Sequence, residues 1–130
     1  DPRSIVSFKP VPAGTSGGIS VIGTLGSAMG SLVLAGVSWL AAPHHSPSLL
    51  GGREFLLLFG AGLAASLFDS LLGATLQARF RCPVCHKETE KRHHCGGQAT
   101  DFTGGLRWMN NDRVNMAAAV FAILVVYALY

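Results

Sequence analysis

Three short stretches of this chain hold residues that could do chemistry, and each lies in or beside an apolar run. Gly14-Thr15-Ser16-Gly17-Gly18 leads into residues 19–42, and Trp108-Met109-Asn110-Asn111-Asp112-Arg113-Val114-Asn115 leads into residues 115–130. Between them, residues 55–76 carry one charge, Asp69. The start of a helix presents unpaired N–H groups and a positive dipole end, so both polar mouths suit an anion such as phosphate. A carboxylate inside a membrane-length helix is costly and usually kept for function. Together they predict a phosphate and divalent-cation site. The Gly14, Thr15, Ser16, Gly17 and Gly18 amides would hold phosphate oxygens. Plainer roles fit the same residues. Thr15 or Ser16 could cap the first helix, and Asp112, with Asn115 three positions on, could cap the last. Asp69 could pair with Arg79 or Arg107, or couple protons in a transporter.

A second constellation has metal-ligand spacing. Cys82-Pro83-Val84-Cys85 is followed by His93-His94-Cys95 and Gly96-Gly97, and these are the only 3 cysteines. Thiolates two residues apart can grip one ion from a tight knuckle, and a third Cys with a neighbouring His completes a tetrahedral Cys₃His set. Three cysteines cannot all form disulfides within the chain, and a cytosolic loop is reducing, which favours zinc. Spacing leaves His93, His94 and His86 open as the fourth ligand. A redox-active CxxC and unligated thiols are the competing readings. A closed Cys₃His site has no open position for catalysis, so its expected role is to staple a loop too short to bury a core.

The elements that position these groups follow from the charge distribution. Charged residues make up 13% of the chain, against about 25% in soluble domains. Residues 19–42 contain no charge, and both this run and residues 55–76 exceed the roughly 20 residues that cross hydrocarbon as a helix. The last run has about 16 or 17 residues, near the lower limit. The expected fold is all-α, a polytopic transmembrane bundle of three spans with a small zinc-knuckle loop. Its parts are a lead-in (1–18), spans at 19–42, 55–76 and 114–130, an outer loop (43–54) and a long loop (77–113). A soluble bundle would need polar stripes at helical spacing, which residues 56–67 lack. A cleaved signal peptide would explain one span but not three. Gly26 and Gly30 form a GxxxG step suited to a close helix–helix seam. His44 and His45 are expected to be exposed in the outer loop. Asp69 should lie roughly 10 Å inside the end of its span, at 1.5 Å per residue.

Three spans place the lead-in and the 77–113 loop on one side. Of the 10 Lys and Arg residues, Arg3, Lys9, Arg79, Arg81, Lys87, Lys91, Arg92, Arg107 and Arg113 fall there and only Arg53 falls opposite. That asymmetry predicts a cytoplasmic loop, with both polar mouths and the Asp69 end of the second span at the face where nucleotide is available. The net charge of +3 is accounted for by contacts with anionic headgroups beside the spans, which argues against nucleic acid. The chain begins at Asp1 without an initiator Met and is expected to be part of something longer.

The polar motifs resemble a known family. Gly14-Thr15-Ser16-Gly17-Gly18-Ile19-Ser20 with Gly23-Thr24, then Phe68-Asp69-Ser70-Leu71-Leu72-Gly73-Ala74-Thr75-Leu76-Gln77, then Trp108 to Asn115 are similar, in order, to three motifs of polytopic membrane proteins. These include animal transmembrane protein 19 and the plant phytyl-phosphate kinase of tocopherol synthesis. The resemblance covers essentially the whole chain. It implies a C-terminal half, with upstream helices and a further acidic motif as partners. The cysteine loop is similar to that of some prokaryotic members and is missing from animal and plant ones, which implies an accessory zinc and a prokaryotic cell membrane. The plant relative implies transfer of a nucleotide γ-phosphoryl group to an isoprenyl monophosphate. A nucleotide- and Mg²⁺-dependent isoprenyl- or phytyl-phosphate kinase is therefore the preferred expectation, and it implies that Asp69 and Asp112 hold Mg²⁺ while Asn111 and Asn115 position phosphates or carboxylates. A transporter or flippase using Asp69, and a non-enzymatic assembly module docking through the zinc loop, are the alternatives. The outer halves of the helices show no polar path of the kind a transporter needs.

Overall fold

The computed structural model describes residues 1–41 and 51–130. The stretch that includes His44 and His45 lies outside the described residues, whereas Arg53 and Glu54 lie within the second helix. The chain divides into two compact units, one of Ser20–Phe68 with Ala118–Tyr130 and one of Asp1–Ile19 with Asp69–Ala117.

Helices α1 (Val21–Ala41), α2 (Gly52–Thr75) and α3 (Asn111–Leu129) are each long and apolar enough to cross a membrane. Helix α1 begins after Ser20, whose hydroxyl accepts from the Gly23 N–H at 3.1 Å while its carbonyl accepts from Thr24 at 2.8 Å. Ser20 is thus the N-cap, in place of Thr15 or Ser16. In the first unit α1 and α2 meet on a polar seam: the Ser27 and Ser66 hydroxyls are 2.7 Å apart, and Ser31 packs against Gly62 so closely that a Cβ there would meet its Oγ at 2.6 Å. Gly26 and Gly30, the expected seam, have nothing within 4 Å of where a Cβ would stand. The seam is one step round the helix, where serine hydroxyls add a hydrogen bond that glycine cannot supply. Phe68 stacks on Phe121 at 4.3 Å, and Arg53 donates to the Leu129 carbonyl at 2.7 Å, satisfying one orphan acceptor at the end of α3. A cavity of about 560 Å³ lies among the three helices, floored by Ala35 and Ala61.

The second unit corrects an all-α expectation, because residues 77–113 are not a simple loop. Strands β3 (Arg79–Arg81), β4 (Glu88–Thr89) and β7 (Asp101–Gly104) form an antiparallel sheet in the order β4-β3-β7, and β5 (His93–His94) pairs with β6 (Gln98–Ala99). Near the N-terminus β1 (Arg3–Ser4) pairs with β2 (Gly18–Ile19). The strand signal is short but legible in Arg79-Phe80-Arg81, where only the central residue is buried. Phe80 meets Phe102 of β7 edge-to-face at 5.6 Å. Helix α2 ends where the Gln77 N–H reaches back to the Leu72 carbonyl at 3.1 Å and the Ala78 N–H passes to Met109 at 2.7 Å. Gly105 lies directly over the Gln77 carbonyl, so closely that a Cβ would overlap it, and its φ of 82° is glycine territory. Ala78, Met109 and Val114 complete this small core.

Candidate functional site

The glycine motif reaches α2 through its backbone. Thr15 and Pro12 close a turn, with the Thr15 hydroxyl on the Pro12 carbonyl at 2.8 Å and the Gly18 N–H on the Thr15 carbonyl at 2.9 Å. Gly14 and Gly17 take φ of 85° and 76° inside this turn. Gly17 then lies flat on α2: a Cβ there would overlap the backbone of Ala74, and the Gly17 nitrogen is 3.0 Å from where a Gly73 Cβ would stand. Two glycines facing each other remove both side chains, and the main chain of the loop reaches the helix surface.

Gly73 shares its face of α2 with Asp69 one turn before it, and Gln77 follows two residues beyond the end of the helix at Thr75. Asp69 Oδ1 is buried with no hydrogen-bond partner among the described residues. Neither suggested cation neutralises it: Arg107 lies over the Phe102 ring at 4.6 Å, and the Arg79 guanidinium lies against Gly104. Orphaned buried carboxylate oxygens are rare in native proteins, and a hard cation is one of the few groups that satisfies them. Gln77, only 4% exposed, donates from Nε2 to Glu90 Oε2 at 3.0 Å, and its Oε1 is 3.4 Å from the Gly73 Cβ position.

The third motif opens α3. Asn110 Oδ1 accepts from the Arg113 N–H at 3.1 Å and the Asn110 carbonyl accepts from Val114 at 3.1 Å, so Asn110 is the N-cap. This corrects the capping role suggested for Asp112, which lies in the first helical turn, where its charge complements the dipole. Asn111, Asp112 and Asn115 are exposed, and no hydrogen bond among the described residues joins them to Asp69 or the glycine turn. Arg113 donates to the Trp108 carbonyl and stands 5.7 Å from its ring.

The cysteine motif forms a distinct cluster in the strand-rich region. Cys82 leaves β3 and begins a tight turn, closed by the His86 N–H on the Cys82 carbonyl at 2.9 Å and the Cys82 N–H on Lys87 at 3.0 Å. The β5–β6 hairpin delivers His94 and then Cys95, whose φ of 44° starts the turn through Gly96 and Gly97. One donor atom each from Cys82, Cys85, His94 and Cys95 lies within 4.8 Å of every other. His94 Nδ1 is 3.5 Å from Cys85 Sγ and 3.2 Å from Cys95 Sγ. His94 therefore joins the cluster, while His93 and His86 are exposed and outside it. Tetrahedral thiolates around zinc stand about 3.8 Å apart for Zn–S bonds of about 2.3 Å, so these four groups fit a metal ion after a small contraction. The electrostatics suit that use at Cys82 and oppose it at Cys95, whose proton an ion would have to displace. The backbone N–H of Cys85 holds the Cys82 thiol down to about 6, helped by Val84 and His94. Hydrogen bonding to the Cys85 and Cys82 sulfurs pushes Cys95 up to about 11.

Sequence reasoning missed Gln77 as a structural hub and Glu90 altogether. Gln77 stood at the end of the second motif, at the i+8 position from Asp69, which was a usable signal. Nothing local marks Glu90, because its partner is 13 residues away and set by strand pairing.

Comparison with known proteins bears on the whole arrangement. The family model described as integral membrane protein DUF92 matches residues 1–123. Protein PGR of Arabidopsis thaliana is 32% identical over 123 residues, covering 90% of this chain and 41% of PGR. The chain thus spans about two fifths of the length of that relative. No solved structure matches. With the match running through the glycine turn, the Asp69 helix, the strand-rich segment and the start of α3, the chain belongs to the integral membrane protein family DUF92.

Proposed function

We propose that this chain forms part of a membrane-embedded phosphotransferase that moves the γ-phosphoryl group of a nucleoside triphosphate onto an isoprenyl monophosphate of the phytyl class. The observation that supports it is the orphaned Asp69 oxygen, one helical turn from a glycine turn that brings its main chain onto the same face. Phosphoryl transfer asks a protein for positioning and charge neutralisation rather than covalent help, so this pairing is chemically apt. The N–H groups of Gly14, Ser16 and Gly17, which the turn leaves uncommitted among the described residues while Thr15 and Gly18 donate within it, would hold phosphate oxygens; Asp69, with Asp112 of α3, would hold the divalent cation, and Asn111 and Asn115 would orient the phosphates. Mg²⁺ held by these carboxylates would supply charge neutralisation for the phosphates during transfer. The acceptor monophosphate oxygen forms the new P–O bond as the bond to the nucleotide β-phosphate breaks, leaving a nucleoside diphosphate and an isoprenyl diphosphate. Cys82, Cys85, His94 and Cys95 would hold a structural zinc that touches neither nucleotide nor lipid phosphate. We place the site at the cytoplasmic face of a prokaryotic cell membrane, following the basic-residue asymmetry.

The experiment uses the purified protein carrying this chain in proteoliposomes, γ-labelled nucleotide and a panel of isoprenyl monophosphates. Label recovered in an isoprenyl diphosphate is the expected result. Folded, zinc-loaded protein that labels no lipid, yet moves lipids between leaflets, would replace this reading with a flippase.

A further inference from the structure

The Asp69 face of α2 and the cysteine cluster are joined by one buried side chain. Gln77 is a neutral amide at the end of a membrane-length helix, and it is almost wholly excluded from solvent. Its Nε2 is committed to Glu90 Oε2 at 3.0 Å. Glu90 lies on the short connection between β4 and β5, and β5 delivers His94 to the cluster. The other end of the Gln77 amide, Oε1, faces Gly73 at the point where the Gly17 main chain crosses the helix. The order along this path is cysteine cluster, β5, Glu90, Gln77, Gly73 with Gly17, Asp69.

We infer that Gln77 is a positioning residue through which the metal-binding ribbon holds the Gly17–Asp69 face of α2 in place. Short strands of two to four residues do not hold their own shape in water. A metal bound by Cys82, Cys85, His94 and Cys95 ties β5 to the Cys82–Cys85 turn and so sets where Glu90 stands. The Glu90 carboxylate then sets the Gln77 amide, through a charge-assisted bond of the kind whose loss leaves a buried donor unsatisfied. With the ribbon loosened, Gln77 is released, and the chain just past α2 loses its tie to the ribbon beside the point where Gly73 meets Gly17. The zinc would thus be structural in ligation and influential in consequence. This inference leans on the phosphotransferase reading only for what the face does; the coupling itself is a property of the fold, so its test reads no catalysis.

The test is amide hydrogen exchange on the protein carrying this chain in nanodiscs, zinc-loaded and after chelation. Stripping zinc from the wild type should speed exchange in the ribbon and, with it, at residues 72–78, by on the order of tenfold for loss of one charge-assisted bond. In Gln77→Leu, residues 72–78 should exchange fast whether or not zinc is bound. Glu90→Ala, a change at an exposed position, should do the same, and it serves where the buried substitution fails to fold. Gln77→Glu sets two carboxylates against each other and should mimic Gln77→Leu. The exchanged pair, Gln77→Glu with Glu90→Gln, rebuilds an amide–carboxylate bond and should restore zinc-dependent protection. Two results would overturn the inference: protection at residues 72–78 unmoved by zinc removal while the ribbon opens, or full zinc dependence surviving in Glu90→Ala. Either would leave the phosphotransferase reading standing, since that depends on Asp69.

Discussion

At the scale of single residues, the metal cluster and Asp69 show how far chemistry is written in residue type. Three sulfurs and a histidine at knuckle spacing pointed to a group able to hold a metal, and the fold brings one donor from each of Cys82, Cys85, His94 and Cys95 together. The choice of His94 over His93 and His86 was not legible, because it depends on which strand face turns inward. If the cluster holds zinc, the purified protein should contain about one ion per chain. Cys82→Ser should then lower metal content severalfold by elemental analysis while the spans stay inserted, and a Cys82→Ser, Cys85→Ser variant with full metal would refute it. The metal-free ribbon has its own pH dependence. Cys82 is held at about 6 in the fold against 9.0 ordinarily. Its contribution to stability is therefore complete above about pH 9, shrinks as pH falls and is gone below about 6. Thermal melts of metal-free protein should show the ribbon weakening from pH 9 to pH 6; a melting temperature flat across that window would contradict the assignment.

At the scale of elements, the three spans could be read from their hydropathy, but their edges and contacts could not. Caps fall at Ser20 and Asn110 rather than in the motifs' most polar residues, because the first helical turn includes Asn111 and Asp112. The ribbon escaped notice because strands of two residues carry almost no periodicity and are set by pairing with distant partners. Gly17 is where element and site meet. Gly17→Ala would combine a left-handed backbone position, costing about 1–2 kcal/mol, with overlap against the Ala74 backbone. It should lower the unfolding midpoint, and it should cost more activity per folded molecule than Gly14→Ala, whose position is equally left-handed with open space around it. Equal losses from the two substitutions would show that the approach of the turn to α2 carries no functional weight.

At the scale of the whole molecule, family membership and three membrane-length helices agree with an integral membrane protein. Orientation follows from charge: the side bearing the ribbon should face the cytoplasm. In sealed, right-side-out vesicles stripped of zinc by a permeant chelator, a membrane-impermeant thiol reagent should leave Cys95 unlabelled until the membrane is opened, and labelling from outside would invert the topology. The proposed activity was legible only through ordered motifs, since a glycine turn and a lone acid name no substrate. The most direct measurement is therefore nucleotide-dependent transfer to isoprenyl monophosphate by Asp69→Asn, per folded molecule. The substitution keeps size and hydrogen bonding while removing the charge that would hold a cation. If Asp69 holds Mg²⁺ for phosphoryl transfer, turnover should fall by roughly 10²-fold or more, as when a transition-state electrostatic group is lost, with insertion and zinc content unchanged. Turnover close to wild type in Asp69→Asn would remove the carboxylate from the chemistry and the proposed site with it.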